Sequence, residues 1–228
     1  MDSSNNKLFK FMNAHLMGPM GKLASFRIVR GVMAAGMASI PFTIVGSMFL
    51  IINVLPQSFP ILTGLWKNSF DKISNLYMLA NGATMGILSL YFCLVFGYEY
   101  TRIQAQEEKI DVNPLNGALL SMMAFFMCVP ELVFKGGTAT LITEITKDSK
   151  IIDGYAIAGG VTRLGTTGIF TAIIMSIIAV KLYAWFVKKN IVVKMPDTVP
   201  AGVSRSFTAL IPTAAIALTV IAVSYTHL

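Results

Sequence analysis

The apolar positions of this chain fall in long, nearly uncharged runs, not in the strict alternation of a half-buried strand or the narrow stripe of a soluble helix. A bilayer core about 30 Å thick takes about 20 apolar helical residues, because backbone polar groups in hydrocarbon must be paired within their own segment. Residues 31–55 meet that length without a charge, and Pro56, Pro60 and Gly64 predict a helix break at their far end. A second run, 75–98, holds Asn81, and Glu99, Arg102, Glu107, Glu108 and Lys109 mark its exit into water. The third, 115–134, opens on Asn113-Pro114, a helix-start pair, and carries Pro130-Glu131 near its end. The fourth, 165–187, closes on Lys188-Lys189-Asn190, and the fifth, 207–223, contains Pro212. The fold class expected from this pattern is all-α, a polytopic helical membrane protein with about five transmembrane helices.

Residues 1–30 are basic and amphipathic. Leu8, Phe9, Phe11, Met12, Leu16, Met17 and Met20 cluster on a helical period among Lys7, Lys10 and Lys22. Such a segment fits either the membrane interface or the ends of the bundle, and residues 195–209, interrupted by Pro196 and Pro200, pose the same question. No compact apolar stretch precedes a small-residue cleavage site, so no cleavable signal is expected. Residues 135–164 are too polar for lipid, and Gly136-Gly137 and Gly159-Gly160 suit a folded lid or re-entrant loop. Basic residues concentrate before the first run (Lys7, Lys10, Lys22, Arg27, Arg30) and between the fourth and fifth (Lys188, Lys189, Lys194, Arg205). Both segments fall on one side of the membrane, which predicts a cytoplasmic N-terminus.

Composition narrows the chemistry. Only 13% of the 228 residues are charged and 55% are hydrophobic, against roughly 25% charged in soluble domains. The net charge of +7 lies at the edges of apolar runs and not on a polar face, which argues against nucleic acid. Cys93 and Cys128 sit inside apolar runs without metal-type spacing. Motifs for nucleophilic, phosphate-binding or zinc chemistry are absent, so no catalytic residue, metal ligand or cofactor is expected. His15 and His227 lie outside the runs. Gly82 and Gly86, four apart, have the spacing for close helix packing. Asn81 and Glu131 are the candidates for pore-facing, substrate-binding groups, since polar side chains in lipid tend to face a bundle interior. Lys181, Tyr183, Trp185, Lys188 and Lys189 form an interface belt that implies no site.

Several stretches resemble a known family. Phe11-Met12-Asn13 with His15-Leu16-Met17-Gly18-Pro19-Met20 is similar to the opening of the IIC permeases of bacterial phosphotransferase systems of the lactose/cellobiose/chitobiose type. So are Ile40-Pro41-Phe42-Thr43, Lys188-Lys189-Asn190-Ile191, Val199-Pro200-Ala201-Gly202-Val203-Ser204 and Ala209-Leu210-Ile211-Pro212, in that order. The resemblance implies the N-terminal half of a fold of roughly ten spans, each of about 20 residues. It further implies a bacterial cell-membrane protein that translocates a β-linked disaccharide such as cellobiose, lactose or chitobiose. Phosphorylation would come from the phosphocysteine of a partner IIB charged by IIA. This chain would then be the transport subunit of that phosphotransferase complex, without a nucleophile of its own and homodimeric at full length. The family's pocket His and Glu belong mostly to the later half and have no counterpart here, so the chain alone is expected to be inactive. Residues 224–228 depart from the family's continuation and read as a truncated or foreign end. Two alternatives stay open: half of an ion-coupled secondary transporter, which would place carboxylates or broken helices at the midplane, and a non-transporting structural subunit.

Overall fold

The computed structural model describes residues 18–59, 61, 64, 66, 71–128, 132–135, 138–141, 150–153, 164–196 and 198–226. Helix α1 (Gly18–Ser25) is followed by α2 (Arg27–Ser58), α3 (Ser74–Thr84), α4 (Leu88–Glu108), α5 (Pro114–Met127), α6 (Ile169–Lys188), α7 (Ala201–Thr208) and α8 (Leu210–Thr226). Among the described residues, three stretches have the length and apolar character to cross a bilayer: Arg27–Pro56, Leu76–Glu108 and Thr166–Lys188. At 14 and 17 residues, α5 and α8 reach about 21 and 26 Å.

Helix α4 is the centre of the bundle, packed against α2, α5 and α6. It runs antiparallel to α2 and α5 and parallel to α6, so Arg27, Glu108 and Lys188 meet at one end. Its inward positions Phe92, Cys93, Phe96, Tyr100 and Thr101 are buried. Against α5 the approach is closest. A Cβ on Gly117 would stand 1.9 Å from Thr101 Oγ1, and one on Gly97 would stand 2.5 Å from Ser121 Oγ. Thr101 donates its hydroxyl to the carbonyl of Gly97 at 2.7 Å, and Ser121 donates to that of Gly117 at 2.8 Å. Each helix therefore presents glycine and hydroxyl four residues apart, and the hydroxyl of one fills the notch left by the glycine of the other.

Several boundaries differ from the sequence reading for identifiable reasons. Helix α2 continues through Pro56 to Ser58, and the indole N–H of Trp66 donates at 3.0 Å to the carbonyl of Ile52, the acceptor that Pro56 has no N–H to reach. Helix α5, on the third apolar run, stops at Met127, not near 134, where the Cys128 N–H turns in upon the last carbonyls ahead of Pro130. Beyond it, Leu132–Lys135 (β1), Thr138–Leu141 (β2) and Lys150–Asp153 (β3) form an antiparallel sheet in the order β2-β1-β3, with a register shift at Leu132/Val133. Strands therefore occupy part of the polar segment, for which the sequence pattern suggested a folded lid or re-entrant loop, and β1 begins in the last residues of the third apolar run. The fifth apolar run divides between α7 and α8, because Pro212 has no N–H for the carbonyl of Thr208; α8 restarts with Thr213 N–H on Ala209 O at 2.9 Å.

Candidate functional site

Two places in the bundle depart from plain packing. The first is a break inside a membrane helix. Helix α3 ends at Thr84, a 3-10 turn covers Met85–Ile87, and α4 resumes at Leu88. Thr84 (φ −111, ψ −81) and Ile87 (φ −123, ψ 26) carry the irregularity. Helix α2 presses on this point, since a Cβ on Gly46 would lie 2.5 Å from both Thr84 Oγ1 and Met85 Cγ. Local groups take up backbone carbonyls at the break: Thr84 Oγ1 donates to Ala80 O at 2.8 Å and Tyr91 O–H donates to Ala83 O at 3.0 Å. The Tyr91 ring is stacked on Phe42 of α2, with centroids 4.2 Å apart. Ser89, wholly buried at the start of α4, donates from both its N–H (2.9 Å) and its hydroxyl (2.6 Å) to the carbonyl of Leu164. Mid-helix 3-10 turns often mark hinges, and this one is tied on both sides.

Asn81 lies in the last turn of α3, immediately before the break, and its Oδ1 is buried with no hydrogen-bond partner among the described residues. Glu131, the other candidate, lies outside the described residues. At Gly86 a Cβ would meet only the carbonyl of Asn81 at 3.8 Å, an ordinary contact, whereas Cβ atoms at Gly31, Gly46, Gly97 and Gly117 would come within 3.0 Å of Phe96, Thr84, Ser121 and Thr101.

The second place is the end of the bundle where α2 begins and α4 and α6 finish. Arg27 pairs with both Glu107 and Glu108, Arg30 Nη1 reaches Glu107 at 2.8 Å, and Lys188 holds the other oxygen of Glu108. Three helices are joined there by charge. Reading along the chain classed Glu107 and Glu108 only as markers of an exit into water; partners about 80 positions away carry no local signal. Beside this cluster, a cavity of about 210 Å³ is lined by Asp111, Val112, Asn113, Pro114, Tyr183 and Thr208. The buried Tyr183 hydroxyl accepts from the Asn113 N–H at 3.2 Å. Among the described residues no group of His, Cys, Asp or Glu is arranged to hold a metal, and Cys93 faces Ser176 at 3.4 Å inside the core. What these places do is hold helices in position.

The family model described as "Phosphotransferase system, EIIC" matches residues 33–226. The chain is 31% identical over 218 residues to the cellobiose-specific EIIC component of Geobacillus stearothermophilus, covering 94% of this chain and 44% of that protein. It is 30% identical over 213 residues to the oligo-beta-mannoside-specific EIIC component of Bacillus subtilis, covering 93% and 43%. The crystal structure of the transporter ChbC, the IIC component of an N,N'-diacetylchitobiose-specific phosphotransferase system, superposes with a TM-score of 0.72 at 29% identity, over 92% of this chain and 45% of that one. The chain therefore spans less than half the length of the curated relatives it matches.

Proposed function

From the premise that this chain belongs to the phosphotransferase system EIIC family, we propose that it forms the scaffold part of a sugar permease that passes a β-linked disaccharide such as cellobiose, lactose or chitobiose to a partner IIB for phosphorylation. The observation that carries this reading is agreement with EIIC proteins in both sequence and fold along nearly the whole chain. In the reaction, the S–P bond of the IIB phosphocysteine breaks, a P–O bond to a sugar hydroxyl forms, and the hydroxyl proton leaves. IIA recharges IIB. The chain supplies position, not phosphate. The proposed orientation puts the Arg27–Glu108–Lys188 end in the cytoplasm, supported by the exposed Lys22, Lys109 and Lys189 at that end. In the assembled, homodimeric permease, Gly82 and Gly86 are read as packing positions and Asn81, with Glu131, as pore-facing groups. Support for Asn81 is its unpaired buried carbonyl at a helix break.

In cells supplying IIA and IIB, radiolabelled cellobiose distinguishes the outcomes. A permease with the full length of the relatives accumulates phosphorylated disaccharide, and the 228-residue chain alone accumulates none. Asn81→Leu in the longer protein lowers uptake while leaving stability within about 0.5 kcal/mol, because a carboxamide with an unsatisfied oxygen adds little to folding. Sodium- or proton-driven accumulation of unmodified sugar would overturn the reading.

A further inference from the structure

Helix α1 has an apolar stripe that nothing in the described bundle covers. Met20 and Leu23 of α1 and Phe26, the residue just after it, recur every three residues and are 60%, 54% and 60% exposed. A Cβ on Gly21, on the opposite side of the helix, would have no heavy atom within 4 Å. The helix is closed by the Ser25 hydroxyl on the carbonyl of Lys22 at 2.6 Å, and one residue in extended backbone, Phe26 (φ −64, ψ 137), turns the chain into α2. That single-residue elbow keeps α1 next to the start of α2. Arg27 and Arg30, in the first turn of the spanning helix, are held by Glu107 and Glu108, so the end of α1 joins the bundle at the level where the span emerges from hydrocarbon. Trp185 and Lys189 stand at the same end, the residue types that settle among lipid headgroups.

We propose that α1 lies in the membrane surface on the Arg27–Glu108–Lys188 side, with Met20, Leu23 and Phe26 in the acyl boundary and Lys22 among anionic lipid headgroups. The assignment rests on the membrane reading above. Lipid suits this stripe better than protein does, because eight residues offer far less than the roughly 800 Å² per partner of a stable protein interface. Lys22 stands off the stripe, where its stem can follow the surface and its ammonium can meet a phosphate.

The test places an environment-sensitive fluorophore at Leu23→Cys or Gly21→Cys, in a chain carrying Cys93→Ala and Cys128→Ala, reconstituted in phosphatidylcholine vesicles with or without phosphatidylglycerol. Flotation with the vesicles reports the spanning helices, so its loss fails the membrane reading independently of α1. In floating protein, the label at 23 is expected to shift to the blue and to be quenched by brominated acyl chains, while the label at 21 is quenched by aqueous iodide. Removing phosphatidylglycerol, or Lys22→Gln, lowers the ratio of docked to undocked α1 about fivefold. Equal iodide quenching at both positions would put α1 in water, and access by neither quencher at 23 would mean that protein covers it. Either overturns the proposal, as does indifference to phosphatidylglycerol.

Discussion

Gly117→Leu is expected to unfold the contact between α4 and α5, lowering the free energy of unfolding in mixed micelles by about 3 kcal/mol. The first added carbon already meets Thr101 at three atoms, Oγ1 at 1.9 Å, Cβ at 2.7 Å and Cγ2 at 2.8 Å, and Thr101 is wholly buried with its hydroxyl engaged. The neighbour cannot swing aside, so the helices must separate, and the Ser121–Gly97 notch on the same seam opens with them. Gly117→Ala moves in the same direction by less, since alanine recovers about 1 kcal/mol of helix propensity. Gly36→Ala is the control: no heavy atom lies within 4 Å of the new carbon, and this substitution leaves stability unchanged or raised. If Gly117→Leu unfolded at the wild-type detergent concentration, the seam would not hold the bundle.

Glu108→Lys carries the second large effect. It places a further cation among Arg27, Arg30 and Lys188 and removes the carboxylate that Arg27 and Lys188 share. The expected loss is about 1–2 kcal/mol at low salt, smaller as salt rises, because the Arg27 and Lys188 side chains are 37% and 46% exposed and partly screened. Combining it with Lys188→Glu restores part of the loss, since the swapped pair can re-form between α4 and α6. A loss independent of salt and of the second substitution would mean that Glu108 acts through packing and not through charge.

Much of the architecture follows from run length. Among the described residues, the three helical stretches long enough to cross a bilayer coincide with the first, second and fourth apolar runs, because a helix pairs its backbone groups within its own segment in hydrocarbon. What local pattern missed has a physical cause in each case. The glycine and hydroxyl spacing of Gly97–Thr101 carries no local signal of its partner, the complementary Gly117 and Ser121 on the facing helix. A spacing rule reads one helix at a time, whereas close approach takes two. The break at Thr84 was similarly hidden, because its cause includes Gly46 pressing in from α2. Asn81 was legible as a costly polar group in an apolar run, and the structure adds that its oxygen has no partner among the described residues and lies beside a distorted turn. The first strand, Leu132–Lys135, was obscured because its residues up to Phe134 continue the third apolar run, whose helix ends at Met127.

Everything above depends on a bundle that crosses the bilayer with the start of α2 and the ends of α4 and α6 on one face. In a chain carrying Cys93→Ala and Cys128→Ala, single cysteines at Lys22, Lys72, Lys109 and Lys189 can be labelled with a membrane-impermeant maleimide in intact and permeabilised cells. The predicted result is that 22, 109 and 189 label only after permeabilisation and 72 labels in intact cells. Position 109 or 189 labelling on the opposite face from 22 would contradict the account.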